Sequence, residues 1–396
     1  MLAVNLRAAI AGLPPVFPEL AVSLHLSSAT LAALAAAPVL CFGVFSGVAG
    51  PLSRRFGEER VLGAALVLLA AGLLLRGGLP GSMLFPGTVL AGAAIALMNV
   101  LLPSLVKRRK PDQAGLLIGS YLLLLSAGAV VASLVAVPVF RAAGSATGAA
   151  RLTLGMWALP AAAAALAWLP QLRYRTVPRE RRAGAGGPGG VLAMARHALA
   201  WQVTAFLGLQ SLSYYATLSW FPTLLRDRGL SAAHAGDLLA LMNFGNAVTA
   251  LLLPMLAHRA ADQRRLVAIS MAATSGGLAG SAFAPVGSAA AWMLLLGLGQ
   301  GATLGLAIFF TMARSPDPAT AASLSAFAQG AGYLVASTGP LLLGFLHAAT
   351  GGWTVPVLAL LAVAVGQLIS GWLAGRAVTV PRLARGYRRQ RVTGSR

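Results

Sequence analysis

Stretches of about twenty apolar residues recur along nearly the whole chain, and no other feature constrains the fold as strongly. Crossing a hydrocarbon core roughly 30 Å thick takes about 20 such residues per helix. An apolar fraction of 58%, a mean hydropathy of +0.78 and only 10% charged residues exceed what a soluble core of 396 residues could bury. The pattern predicts an all-α polytopic membrane protein with about 12 transmembrane helices. The expected spans are residues 1–22, 29–53, 61–79, 83–106, 114–140, 151–169, 199–225, 232–256, 266–284, 290–312, 320–346 and 353–375.

A net charge of +21 would suggest nucleic acid as the partner of a soluble chain. Here the basic residues sit between apolar stretches, so the partner expected is the lipid bilayer and no nucleic acid. Alternate connections are basic: Arg54, Arg55 and Arg60, then Lys107 to Lys110, then Arg173 to Arg196, then Arg259, Arg264 and Arg265, then Arg314, then the tail. The intervening connections hold only Arg141, Arg151, Arg226 and Arg228. The positive-inside rule then puts both termini on the cytoplasmic side of a bacterial inner membrane. Cys41 stands alone, and His25, His197, His234, His258 and His347 are scattered, so neither a metal site nor a cofactor is expected. Gly184, Gly186 and Gly189 match a dinucleotide-binding pattern by chance, with no strand before them and Pro188 inside.

The chain repeats itself. Phe17-Pro18-Glu19-Leu20 resembles Phe221-Pro222-Thr223-Leu224 (221 − 17 = 204), and Leu26-Ser27, Arg55, Arg60, Gly128 and Val131-Ala132-Ser133 recur at the same offset. Pro111-Asp112 recurs as Pro316-Asp317, a slip of one residue. The domains expected are a six-helix bundle over 1–170, a basic linker over 171–198, a second six-helix bundle over 199–375 and a basic tail over 376–396. The repeat also carries the first helix back before Met1, to about position −5 (199 − 204).

Several motifs resemble the cyanate/2-nitroimidazole permease family within the major facilitator superfamily. They include Asn5-Leu6-Arg7, Pro38 to Gly43, Asn99-Val100-Leu101-Leu102-Pro103, Trp201-Gln202-Val203-Thr204, Gly297 to Gly301, Ala328 to Tyr333 and Thr350-Gly351-Gly352-Trp353. The resemblance implies a major facilitator fold of two pseudo-symmetric six-helix bundles, and secondary transport by alternating access. It also implies a gating loop between helices two and three. Gly50, Arg55 and Gly57 match its pattern, while Arg54 stands where an acid is usual; Glu58 or Glu59 is the candidate replacement.

Arg7 is the most costly residue for a membrane interior, at least about 2.5 kcal/mol on insertion scales unless it faces water or a partner. Its planar fork suits a small planar anion or carboxylate. Asn5, Gln210, Ser211, Tyr214, Asn243, Asn246, Gln300, Gln329 and Tyr333 lie on helices expected to line the cavity and form the candidate substrate-binding set with Arg7; Asn99, Tyr121 and Ser126 extend it. Interhelical hydrogen bonding is the competing reading for each Asn or Gln. Glu19 and Asp237 are the candidate proton-coupling acids. The function expected is a monomeric secondary transporter of a small anionic or polar solute, cyanate-like or related. The alternative is a proton-driven exporter of drugs or amphipathic compounds, which calls for a more aromatic cavity than a 7% aromatic content suggests. An enzyme is not expected, because the only adjacent acids, Glu58 and Glu59, lie in a basic loop.

Overall fold

A computed structural model describes residues 2–79, 81–109, 113–143, 145–174 and 188–381. Lys110, Pro111, Asp112, residues 175–187 of the expected linker (Gly184 and Gly186 among them) and residues 382–396 of the tail lie outside this set. The described residues are helical throughout, with no strand. In order they form α1 (Leu2–Ala11), α2 (Phe17–Ser23), α3 (Ser28–Phe56), α4 (Glu58–Gly78), α5 (Leu84–Arg109), α6 (Ala114–Ala142), α7 (Ala146–Gly155) and α8 (Ala158–Trp168). A short α9 (Pro188–Met194) precedes α10 (Ala198–Asp227), α11 (Ala232–Ala257), α12 (Arg264–Phe283), α13 (Ala289–Ala313), α14 (Pro318–Ala336), α15 (Thr338–Thr350) and α16 (Thr354–Ala374).

Counting α7 with α8 and α14 with α15 as single rods, ten are long and apolar enough to cross a bilayer. The other two expected crossings are the first and the seventh, which the 204-residue repeat pairs with each other. The first is interrupted between α1 and α2 at Pro14-Pro15, where the missing amide protons break the ladder. The seventh, α10, is unbroken over 30 residues, but Gln202, Gln210, Ser211, Ser213, Thr217 and Ser219 lower its hydropathy. Both departures fall on the pair that carries the most polar residues toward the molecular centre.

The repeat is legible in the contacts. Ser27 and Ser231, 204 residues apart, each cap a helix by accepting a backbone N–H, from Thr30 and His234 at 3.2 Å. A Cβ on Gly128 would lie 2.3 Å from the Val4 carbonyl oxygen, and one on Gly332 would lie 3.4 Å from Gly208 Cα. Those two crossings are again 204 residues apart at both members. The helices α4 and α12 begin 206 residues apart (264 − 58) and α5 and α13 205 (289 − 84), whereas α3 and α11 (232 − 28) and α6 and α14 (318 − 114) keep 204. The helix starts therefore depart from the 204 offset in the third and fourth helices of each half and return to it by the fifth. Glu59 takes a 2.6 Å ion pair from Arg109, and its counterpart Gln263 accepts from Arg314 at the same place in the second half. One correspondence is inverted. Arg76 packs against Gly87 on the neighbouring helix, where a Cβ would come within 2.9 Å of the arginine Cβ; in the second half Gly280 is overlain by the ring of Trp292.

Arg76 itself is only 2% exposed and donates to the carbonyls of Ala9 and Leu154. Both carbonyls sit where a helix is breaking, at the end of α1 and between α7 and α8, so one guanidinium satisfies backbone acceptors that the breaks release.

The halves meet at the end of the bundle that carries residues 17–27 and 226–231. Phe17 and Trp220 pack edge to face with centroids 6.2 Å apart, and Glu19 pairs with Arg226 at 2.7 Å. Trp220 also donates to the carbonyl of Pro340 at 2.8 Å. Away from this sealed end the halves separate. Gly43 of α3 lies against Leu334 of α14, where a Cβ would come within 2.8 Å. One turn further toward the arginine-rich end, Gly47 on α3 and Gly330 on α14 both face open space. The space between the halves thus widens toward the basic end.

Candidate functional site

The residue that cost most at the sequence level sits where the halves part. Arg7 is half-buried on α1, and its Nη1 donates to the Tyr214 hydroxyl of α10 at 2.7 Å. The guanidinium carbon lies 5.1 Å from the centroid of the same ring. Tyr214 passes the bond on, donating to Asn243 Oδ1 of α11 at 2.9 Å. Among the described residues the Nε and Nη2 edge of Arg7 makes no hydrogen bond, which leaves free the side of the fork suited to a bidentate acceptor.

Aromatic rings enclose this cation. Tyr121, Tyr214, Tyr215 and Tyr333 all lie within electrostatic reach of it, four of the six tyrosines in the chain. Phe42 of α3 packs edge to face on Tyr215 at 6.3 Å and on Tyr333 at 5.7 Å, and Tyr214 on Tyr215 at 5.2 Å. Tyr121 donates to Asn99 Oδ1 at 2.9 Å. Rings from both halves therefore line a single space around one fixed positive charge.

Polar donors without acceptors add to the charge. The Nδ2 atoms of Asn243 and Asn246 are buried and have no hydrogen-bond partner among the described residues. They are three residues apart on α11, hence neighbours on one face. None of the seven described acids lies beside Arg7. Glu19 is held by Arg226, Glu59 by Arg109, and Glu58 accepts from Ser104. Asp227 accepts from the Trp353 indole, Asp262 meets Arg264, Asp317 caps α14, and Asp237 is exposed near the start of α11.

The other expected site residues divide. Gln210 and Gln300 are 2% and 1% exposed and turn toward each other's helices. Gln210 donates to the Gln300 carbonyl at 3.2 Å, Ser211 to Gln210 Oε1 at 3.1 Å, and Gln300 to Thr217 at 3.1 Å. This network joins α10 to α13 inside the second half. Asn5 donates to the Pro160 carbonyl at 3.2 Å, on α8 and away from Arg7's partners. Gln329 is exposed on α14, one turn below Tyr333, and bonds Ser325 at 2.9 Å.

In the loop between α3 and α4, Gly57 adopts φ 90°, a left-handed geometry that disfavours any side chain with a Cβ. Gly50 is half-buried near the end of α3, and Arg55 is exposed with its guanidinium 5.2 Å from the Phe56 ring. Glu58 and Glu59 bind α5 of their own half.

Tyr215 and Phe42 are the site residues that sequence reasoning passed over. The available signal was the tyrosine distribution, since four of only six fall in mid-span positions.

The profile of the Major Facilitator Superfamily matches residues 2–340. The chain belongs to the Major Facilitator Superfamily. It is accordingly a multi-pass membrane transporter and not an enzyme. Among relatives in the superfamily, the 2-nitroimidazole transporter of Escherichia coli (strain K12) is 38% identical over 376 residues, covering 95% of this chain and 94% of that protein. The cyanate transport protein of the same organism is 29% identical, covering 89% and 90%. A solved superfamily structure, a bacterial homolog of the human lysosomal transporter Spinster, shares the fold with a TM-score of 0.75 at 15% identity, covering 95% of each chain.

Proposed function

We propose that this superfamily member carries a small planar anion, or a strongly polar planar molecule, across the bacterial inner membrane by alternating access. The observation that carries this reading is Arg7, held by Tyr214 across the two halves with the other edge of its fork open. An oxygen pair or a delocalised anion would take that edge, the unpartnered amides of Asn243 and Asn246 would donate to it, and the tyrosine faces would stack on a flat body. The relatives that transport 2-nitroimidazole and cyanate support the same class, since both cargoes are small and π-bonded.

The widening toward the basic end supports an inward-facing state, with both termini and the linker cytoplasmic and Phe17, Trp220, Glu19 and Arg226 closing the outer side. The aromatic lining meets one requirement of the exporter reading, but an unpaired guanidinium at its centre opposes an amphipathic cation.

Thermal shift on purified protein tests the proposal. Benzoate, nitrate, cyanate and 2-nitroimidazole form the panel, with tetraphenylphosphonium as the cationic control. At least one planar member should raise the midpoint of the wild type and leave Arg7→Gln unmoved. Stabilisation by the cation alone would overturn the reading.

A further inference from the structure

We infer that this transporter works as an anion exchanger, in which the carrier changes sides readily only when an anion occupies the Arg7 site. The inference rests on the anion reading given above. A carrier that performs net uptake must return empty through a state closed at both ends. In this chain that state would enclose the open edge of Arg7, while the Nδ2 donors of Asn243 and Asn246 are buried without partners already. Water is excluded at the moment of closure, and an enclosed charge without a partner is strongly disfavoured. A bound anion removes that penalty in both directions, so loaded carriers cross and empty ones stall.

Many carriers of this architecture could avoid the problem with an internal carboxylate that neutralises the cation when the site is empty. No described acid is placed to do so. Glu19 is twelve residues from Arg7 on the same broken helix, roughly 18 Å along the axis, and is committed to Arg226. Asp237 is six residues from Asn243, about 9 Å toward the sealed end, and is exposed. The polar side chains that do face Arg7 are the phenols Tyr121, Tyr214, Tyr215 and Tyr333. They offer hydroxyls and ring faces, not a carboxylate. Exchange of two anions of equal charge moves no net charge, so it needs neither a proton gradient nor a membrane potential.

The experiment uses the purified full-length protein in proteoliposomes, with radiolabelled benzoate and cyanate as probes and titration calorimetry as a separate measure of binding. Uptake into vesicles preloaded with the same unlabelled anion should exceed uptake into anion-free vesicles by more than tenfold, and a protonophore should leave that uptake unchanged. Equal uptake into anion-free vesicles, driven by an inward proton gradient and abolished by the protonophore, would overturn the exchange mechanism while calorimetric binding left the site reading intact. If neither probe binds the wild type in calorimetry, the site reading itself fails and exchange fails with it. Retained calorimetric binding by Arg7→Gln would likewise remove the premise, because the charge that stalls the empty carrier would not be the one the anion meets.

Discussion

Arg7 and Tyr214 stand 207 residues apart in the chain and 2.7 Å apart in space, one from each half of the molecule. Their bond spans the line along which the halves must separate. Any movement that opens the sealed end therefore alters the surroundings of the candidate site directly, without an intermediary element.

Replacing Arg7 tests the centre of the site. Arg7→Ala should abolish transport while membrane insertion and the elution profile of the purified protein stay near normal. Arg7→Lys should rescue poorly, because a point charge reproduces neither the bidentate edge nor the contact with the Tyr214 ring. Unchanged Michaelis constant and maximal rate for Arg7→Ala would assign the residue a structural role.

Tyr214→Phe keeps the ring and deletes the hydroxyl that joins Arg7 to Asn243. A hydrogen bond to a charged group contributes roughly 1.5–3 kcal/mol, so anion affinity should fall about tenfold or more in a titration. Tyr121→Phe, whose hydroxyl bonds Asn99 instead, should have a smaller effect.

The Glu19–Arg226 pair is about three-quarters shielded at each member and lies at the end where the halves meet, which the proposed topology puts outside. Partly exposed pairs are worth about 1 kcal/mol or less. Glu19→Gln should shift the open and closed populations by up to about fivefold, seen as faster labelling of a cysteine placed at Ser219 from the outer side. The exchanged pair, Glu19→Arg with Arg226→Glu, should restore the wild-type rate; a rate insensitive to both would remove the latch.

Packing at the α1–α6 crossing gives a stability test. Gly128→Ala would press a methyl group to 2.3 Å from the Val4 carbonyl oxygen, a displacement that the backbone must absorb. Overpacking of this kind costs about 1–3 kcal/mol. Gly330→Ala, with nothing within 4 Å and a mid-helix position, should leave the thermal midpoint unchanged or raise it slightly.

Sidedness is tested with single cysteines in a Cys41→Ser background. Ala261 and Gly287 lie at opposite ends of α12, and the positive-inside expectation requires Ala261 to label from the cytoplasm and Gly287 from outside. Labelling of both from one side would sink the topology.

The fold was largely legible because bilayer thickness sets element length, so apolar runs translate almost directly into helices. The broken first span and the departure from the 204 offset in the third and fourth helices of each half were less so. Local backbone breaks at Pro14-Pro15 depend on what Arg76 offers to the freed carbonyls, and that donor is distant in sequence. The candidate site was legible only in part. Arg7, Tyr214, Asn243 and Tyr333 do gather, because a cation within the bilayer draws polar partners from the facing helices. Gln210 and Gln300 have the same depth and chemistry, yet they face each other. Which side of a helix meets the lumen depends on its rotation, and α10 is polar around much of its circumference. Tyr215 and Phe42 carry no such polarity signal within an apolar run, and an overall aromatic content of 7% conceals how tightly the rings are clustered.

The inverted pair at Arg76 and Gly87, matched by Gly280 and Trp292, has a consequence for mutagenesis. The two glycines differ in what added bulk would meet: at Gly87 it strikes the Gly72 carbonyl oxygen at 2.5 Å and the Arg76 backbone nitrogen at 2.8 Å, whereas at Gly280 it strikes only the indole. A smaller residue at position 76 would leave the backbone obstacle at Gly87 in place, but a smaller residue at position 292 would clear the space over Gly280. Libraries that vary Gly280 and Trp292 together would therefore reach sequences that stepwise selection cannot, and Gly87 would stay fixed in both kinds of scan.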